Sequence, residues 1–120
     1  MTIYNQNFGK RGEAIAMEYL EDKGFRIIDH NVRSKFGEID IIAEKNVKIF
    51  FVEVKTRSNL KKGKPYEAIN FRKVHQLKKA ATYFLLTNDY KKYKCTLSAI
   101  SILFDEFGAY SLQFFENIQI

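Results

Sequence analysis

The sequence predicts a single α/β domain: a mixed central β-sheet flanked by α-helices, with element order α-β-β-β-α-β-β. Three observations lead there. Two segments carry apolar residues at helical spacing, and five others are short runs rich in β-branched and aromatic residues. A length of 120 residues with 46% hydrophobic composition is enough for one core.

Residues 8–23 read as the first helix. Ile15, Ala16, Tyr19 and Leu20 recur with helical period, and Gly24 provides the stop. FRIIDHNV (25–32) follows as a strand. GEIDIIAE and VKIFFVEVK are two further strands around a hairpin turn at Lys45 and Asn46. TRSNLKKGKPY (56–66) is a polar, basic loop punctuated by Gly63 and Pro65. A second helix begins after Asn70, a good N-cap, and runs to Thr87 with Val74, Leu77, Ala81, Phe84 and Leu85 as its apolar stripe. KCTLSAISILF and YSLQFFENI close the chain as two strands across the turn DEFGA.

Charge is unevenly distributed. Residues 1–54 hold 8 Lys/Arg against 9 Asp/Glu, residues 55–94 hold 12 against 2, and residues 95–120 hold none against 3. The net charge of +6 therefore arises in one middle segment. Such a concentration suits a phosphate-rich partner. With Cys95 as the only cysteine, no internal disulfide can form, and a reducing compartment is expected. The first residues lack the apolar run of a signal peptide, and no segment is long and apolar enough to span a membrane. A soluble, cytoplasmic protein with no membrane partner is the expectation.

The hairpin carries the chemistry. Glu38, Asp40, Glu53 and Lys55 interrupt strands that otherwise read as apolar. A turn centred between Lys45 and Asn46 sets Asp40 opposite Phe51 and Glu38 opposite Glu53, and puts all four charges on one face. Ile39, Ile41, Phe50, Val52 and Val54 then share the other face. Adjacent carboxylates repel and are costly to desolvate. One lysine is too few to balance three acids, so a divalent cation completes the site, and oxygen-only ligands select Mg2+ or Mn2+. His30 and His75 stand apart and read as surface residues. A metal beside a lysine and a basic surface suits phosphodiester hydrolysis. A solvated, salt-bridged sheet face is the plainer reading of the same residues.

The spacing Asp40…Glu53-Val54-Lys55 resembles the core of the PD-(D/E)xK nucleases, which include restriction endonucleases and archaeal Holliday-junction resolvases. More closely, GKRGEAIAMEYLEDKGFRIIDHNVRSKFGEIDIIAE (9–44), FFVEVKTR (50–57) and AINFRKVHQLKKAATYFL (68–85) resemble the YraN-like family of predicted endonucleases. That resemblance implies a restriction-endonuclease-like core and a metal-dependent endonuclease acting on DNA, branched or structured DNA included, with RNA left open. It implies Asp40 and Glu53 as metal ligands, Lys55 as the catalytic lysine and Glu13 as a helical acid joining them. Glu38 and Gln76 are accessory candidates, Glu38 as a holder of Lys55 or Arg33. Arg57, Lys61, Lys62, Lys64, Arg72 and Lys73 are the candidate nucleic-acid contacts. A homodimer would set two such sites on opposite strands of a two-fold junction. One position departs from the family pattern: Ser98 stands where an acid is expected.

Two other function classes fit parts of the sequence. A non-catalytic nucleic-acid-binding module would use the same basic surface, with Tyr66, Phe71, Tyr83, Tyr90 and Tyr93 available for stacking. An adaptor would dock through FFENIQI at the end of the chain.

Overall fold

Each helix ends or begins where the sequence provides a chemical reason. In a computed structural model, α1 spans Thr2–Asp22, β1 Arg26–Ser34, β2 Gly37–Lys45, β3 Lys48–Arg57, α2 Phe71–Thr87, β4 Lys94–Phe104 and β5 Tyr110–Phe115, with a short 3-10 turn at Pro65–Ala68. The structure describes residues 2–61 and 63–118, and side chains from Phe8 onward. Helix α1 thus starts six residues earlier than the apolar period suggests. Its end is a Schellman motif: Phe25 N–H reaches Leu20 O at 2.9 Å and Gly24 N–H reaches Glu21 O at 3.0 Å. At the start of α2 the Asn70 side chain accepts the Lys73 N–H at 3.0 Å, the expected N-cap.

The five strands form one sheet in the order β1-β2-β3-β4-β5. Only β3 and β4 run parallel, because α2 crosses between them, and the other neighbours are antiparallel. The result is the expected mixed sheet in an α/β domain, with one helix on each face. Against α1 pack Ile41, Ala43, Phe50, Val52, Ile100 and Ile102. Against α2 pack Ile39, Ile42, Ile49, Phe51 and Leu97. Among the described residues no helix is long and apolar enough to cross a membrane.

The hairpin differs from the expected one in two respects. Its turn is one residue further on, at Asn46–Val47, both left-handed with φ of 54° and 60°. Phe51 consequently faces Ile42, not Asp40. Moving an even turn by one residue shifts the register by two, so the facing of the side chains survives from Ile41 to Val52. It does not survive at Glu38 and Asp40, which meet Glu13 of α1 while Glu53 meets Lys73 of α2. The second difference is Ile39, which joins the α2 side while Ile41 joins the α1 side. Alternation breaks at Asp40 because β2 rotates there. Its neighbour on β1 at that level, Asn31, is itself left-handed, with φ of 50°.

Candidate functional site

Past the Ile41–Val52 pair the ladder between β2 and β3 ends. Strand β2 continues with β1 as far as Ser34–Gly37, and β3 continues with β4 as far as Arg57–Leu103. The fork opens a cleft of about 220 Å³ walled by both helices. Its polar lining is Glu13, Glu38, Asp40, Glu53, Lys55, Lys73 and Gln76. A fork strands backbone groups that a ladder would have paired. Here Val54 N–H finds the Asp40 side chain, with Oδ2 at 2.8 Å.

Glu13 arrives from α1 because that helix comes unusually close to β3. A Cβ built on Gly12 would lie 2.1 Å from Thr56 Cγ2. Only glycine allows this approach, so GKRGE is a packing motif that delivers its own acid. Gly37 plays the matching part on the α2 side. Its φ of +117° is one that other residues rarely adopt, and the Gln76 amide lies 3.1 Å from where a Cβ would be.

Carboxylate oxygens of Glu13, Glu38 and Asp40 all lie within 4.8 Å of one another. One amide tethers two of them: Asn31 Nδ2 donates to Glu13 Oε1 at 2.9 Å and to Glu38 Oε1 at 2.8 Å. Arg33 Nε adds an ion pair to Glu38 Oε2 at 3.7 Å. Glu53 is served by cations instead, with Lys55 Nζ at 3.6 Å and Lys73 Nζ at 3.7 Å from Oε1. The cleft therefore has two sides, an acidic one around Asp40 held by Asn31 and Arg33, and a lysine-balanced one around Glu53.

The electrostatic consequence falls on Asp40. Burial above all, then the Glu53 charge, raises its carboxyl, the Val54 N–H works against them, Glu13 and Glu38 add to the rise, and together these bring it up to about 7. Four acids in one cleft carry more negative charge than Lys55 and Lys73 offset.

The remaining predicted residues divide. Lys73 and Gln76 line the cleft, and Arg72 lies beside it in a second groove. Arg57 bonds its own strand, Nη1 to Thr56 O at 3.0 Å, and lines neither hollow. Lys61 and Lys64 also lie outside both, and Lys62 lies outside the described residues. Of the aromatics offered for stacking, Tyr66 packs on Phe115, Tyr83 on Phe36, and Tyr90 between Phe84 and Tyr93, while Phe71 is 72% exposed. Ser98 is fully buried, and its Oγ donates to Glu116 O at 2.6 Å, a strand-end bond outside the cleft lining. The FFENIQI segment begins as the last strand, with Ile118 N–H bonded to Leu97 O at 2.9 Å, while Gln119 and Ile120 lie outside the described residues.

Sequence reasoning missed Asn31, Lys35 and Lys79. The only signal for Asn31 was its residue type, since asparagine tolerates a left-handed backbone better than other residues with side chains. Nothing local marks Lys35, which reaches the groove only because β1 and β2 fold back on each other.

Comparison with known proteins points to one family. The profile of the uncharacterised protein family UPF0102 matches residues 12–105. A UPF0102 protein of Persephonella marina is 45% identical over 79% of this chain and 82% of its own length. One from Chlorobium phaeobacteroides is 42% identical over 91% and 90%, and one from Clostridioides difficile is 40% identical over 91% and 90%.

Proposed function

The chain belongs to UPF0102, the YraN-like family its motifs resemble, and from the chemistry of its cleft we propose that it is a metal-dependent nuclease acting on DNA. The observation that carries this reading is the meeting of Glu13, Glu38 and Asp40 oxygens within 4.8 Å, beside a lysine-bearing Glu53.

The residues fit a hard divalent cation. Their donors are all carboxylate oxygens, and the cleft's two lysines pair with Glu53 rather than with these three acids. Asp40 would hold Mg2+ or Mn2+ together with Glu13 and Glu38, and Glu53 would join from β3. Bound there, the ion supplies charge for a phosphoryl oxygen and acidity for a water. Glu53 orients Lys55 through their ion pair, so the ammonium faces the cleft. From that position Lys55 stabilises negative charge developing on the phosphoryl group or orients the attacking water. Lys73 approaches the same carboxylate from α2 and brings a second positive charge to the cleft's mouth.

The test is a cleavage panel in Mn2+ with junction, flap, single-stranded and duplex DNA. Wild-type protein should cut at least one substrate. Lys55→Ala should lose about 100-fold or more in rate while still binding DNA and metal. If Lys55→Ala cuts at the wild-type rate, the lysine has no catalytic part. If wild type cuts none of the panel yet binds DNA with a steep salt dependence, it is a binding module.

A further inference from the structure

The acidic cleft is a poor place for a polyanion to gain affinity. Four carboxylates repel a phosphate until a cation intervenes, so ground-state binding must come from elsewhere. A second hollow, about 560 Å³ in volume, adjoins the cleft and shares Phe36, Lys73 and Gln76 with it. Its charged lining is Lys35, Arg72, Lys73 and Lys79, with His75 beside them and no carboxylate. The groove forms because Lys35, in the β1–β2 turn, faces the first turns of α2.

The basic loop leads elsewhere. Ser58, Asn59 and Leu60 line a different hollow together with Leu103, Asp105 and Tyr110 of the β4–β5 hairpin. Lys64 lies over the Tyr66 ring, 5.7 Å from its centroid, and its own N–H donates to Glu67. The charge excess of residues 55–94 is thus split in space: Arg72, Lys73 and Lys79 line the groove, and Lys61 and Lys64 do not.

We propose that the groove between Lys35 and α2 is the binding track for a phosphodiester strand, and that the loop 56–66 contributes little to affinity. The proposal rests on the nuclease reading for its context, naming where the substrate backbone lies next to the reacting phosphate. Contacts to phosphates carry no base preference, so binding there is sequence-independent. Lys73 marks the junction, since it lines both hollows and reaches Glu53.

The experiment measures fluorescence anisotropy of a labelled single-stranded DNA oligonucleotide in EDTA, so that neither metal nor cleavage enters. Two charge-matched double variants are compared, Lys35→Glu/Lys79→Glu in the groove and Lys61→Glu/Lys64→Glu in the loop. The groove variant should lose about tenfold or more in affinity, and its salt slope should fall by about 1.4, as two lost phosphate contacts predict for single strands. The loop variant should stay within about twofold of wild type. Equal losses in both, or a larger loss in the loop, overturn the proposal. Lys35→Gln/Lys79→Gln, which removes charge without reversing it, serves if the Glu pair does not fold and should lose affinity in the same direction. A wild type that cleaves in Mn2+ while the groove variant binds normally refutes the groove alone. Groove-dependent binding without any cleavage refutes the nuclease reading alone.

Discussion

Asp40 accepts the backbone N–H of Val54 at 2.8 Å, across the gap where β2 leaves β3. A side-chain oxygen there takes the amide that a ladder carbonyl would have served. The same carboxylate is the one that burial and Glu53 push up to about 7. One residue therefore closes the fork and is the acid whose charge the cleft most opposes.

The stability of the metal-free protein should record this. The folded carboxyl titrates near 7 and its ordinary value is 3.8, so between those values the folded chain holds a proton that the unfolded chain has released. Stability then falls as pH rises through that window. Asp40→Asn keeps an oxygen for Val54 and removes the titration. We expect no gain in stability near about pH 4 and a gain on the order of 2–4 kcal/mol at about pH 8, seen as a higher Tm. Thermal melts in metal-free buffer at both values are the measurement, and a gain independent of pH would contradict the assignment.

Gly12 should resist even the smallest substitution. Gly12→Ala drives a methyl to within 2.1 Å of Thr56 Cγ2, and α1 must lift from β3 to relieve it. The expected cost is about 1–3 kcal/mol by chemical denaturation. Thr56→Ser removes that methyl, leaving Thr56 Cβ at 3.5 Å as an ordinary contact. Introduced on top of Gly12→Ala, it should recover most of the loss. Failure to recover would place the strain elsewhere.

Asn31 can be tested without disturbing its backbone. Asn31→Asp keeps the shape and the tolerance for φ of 50°, but exchanges the donor toward Glu13 and Glu38 for a carboxylate. The added acid is raised by its neighbours, so its effect appears only once it ionises. We expect destabilisation of about 1–3 kcal/mol at about pH 8, fading toward pH 4. Asn31→Gly, which also accepts the left-handed conformation, should show a smaller loss with no such pH dependence.

Far from the cleft, the hairpin turn offers a stabilising change. Val47 is 66% exposed with φ of 60°, a conformation β-branched residues disfavour. Val47→Gly restores the Asn-Gly pair this turn type prefers. Stability should rise by about 1 kcal/mol, seen as a Tm higher by several degrees. A fall would show that the valine side chain contributes packing that outweighs its backbone strain.

Most of the fold was legible because its signals are local. Gly24 ends α1, Asn70 caps α2, and alternation marks the strands at positions a reader can point to. The hairpin register was misplaced because Asn46–Val47 lacks the glycine that usually identifies such a turn. Alternation puts Ile39 beside Ile41, yet the two pack on opposite faces, because a change of facing where a strand leaves its ladder has no trace in the strand's own alternation. The charge of residues 55–94 reads as one surface in the sequence, since linear distance cannot show that Ser58, Asn59 and Leu60 line a hollow with Asp105 while α2 faces Lys35.

By itself the sequence determined the element order, the apolar stripes and the charged residues that break them, because each depends on neighbours a few positions apart. It also carried the family, through motifs spread over most of the chain. The tertiary structure alone decided which acids meet. Glu13 joins Asp40 because Gly12 admits close packing on Thr56, Asn31 ties Glu13 to Glu38 from a third element, and the lysines go to Glu53. The contacts of Glu13 with Asn31, Gly12 with Thr56 and Glu53 with Lys73 join segments 18 or more residues apart, and only the packing of helices onto a sheet sets such distances.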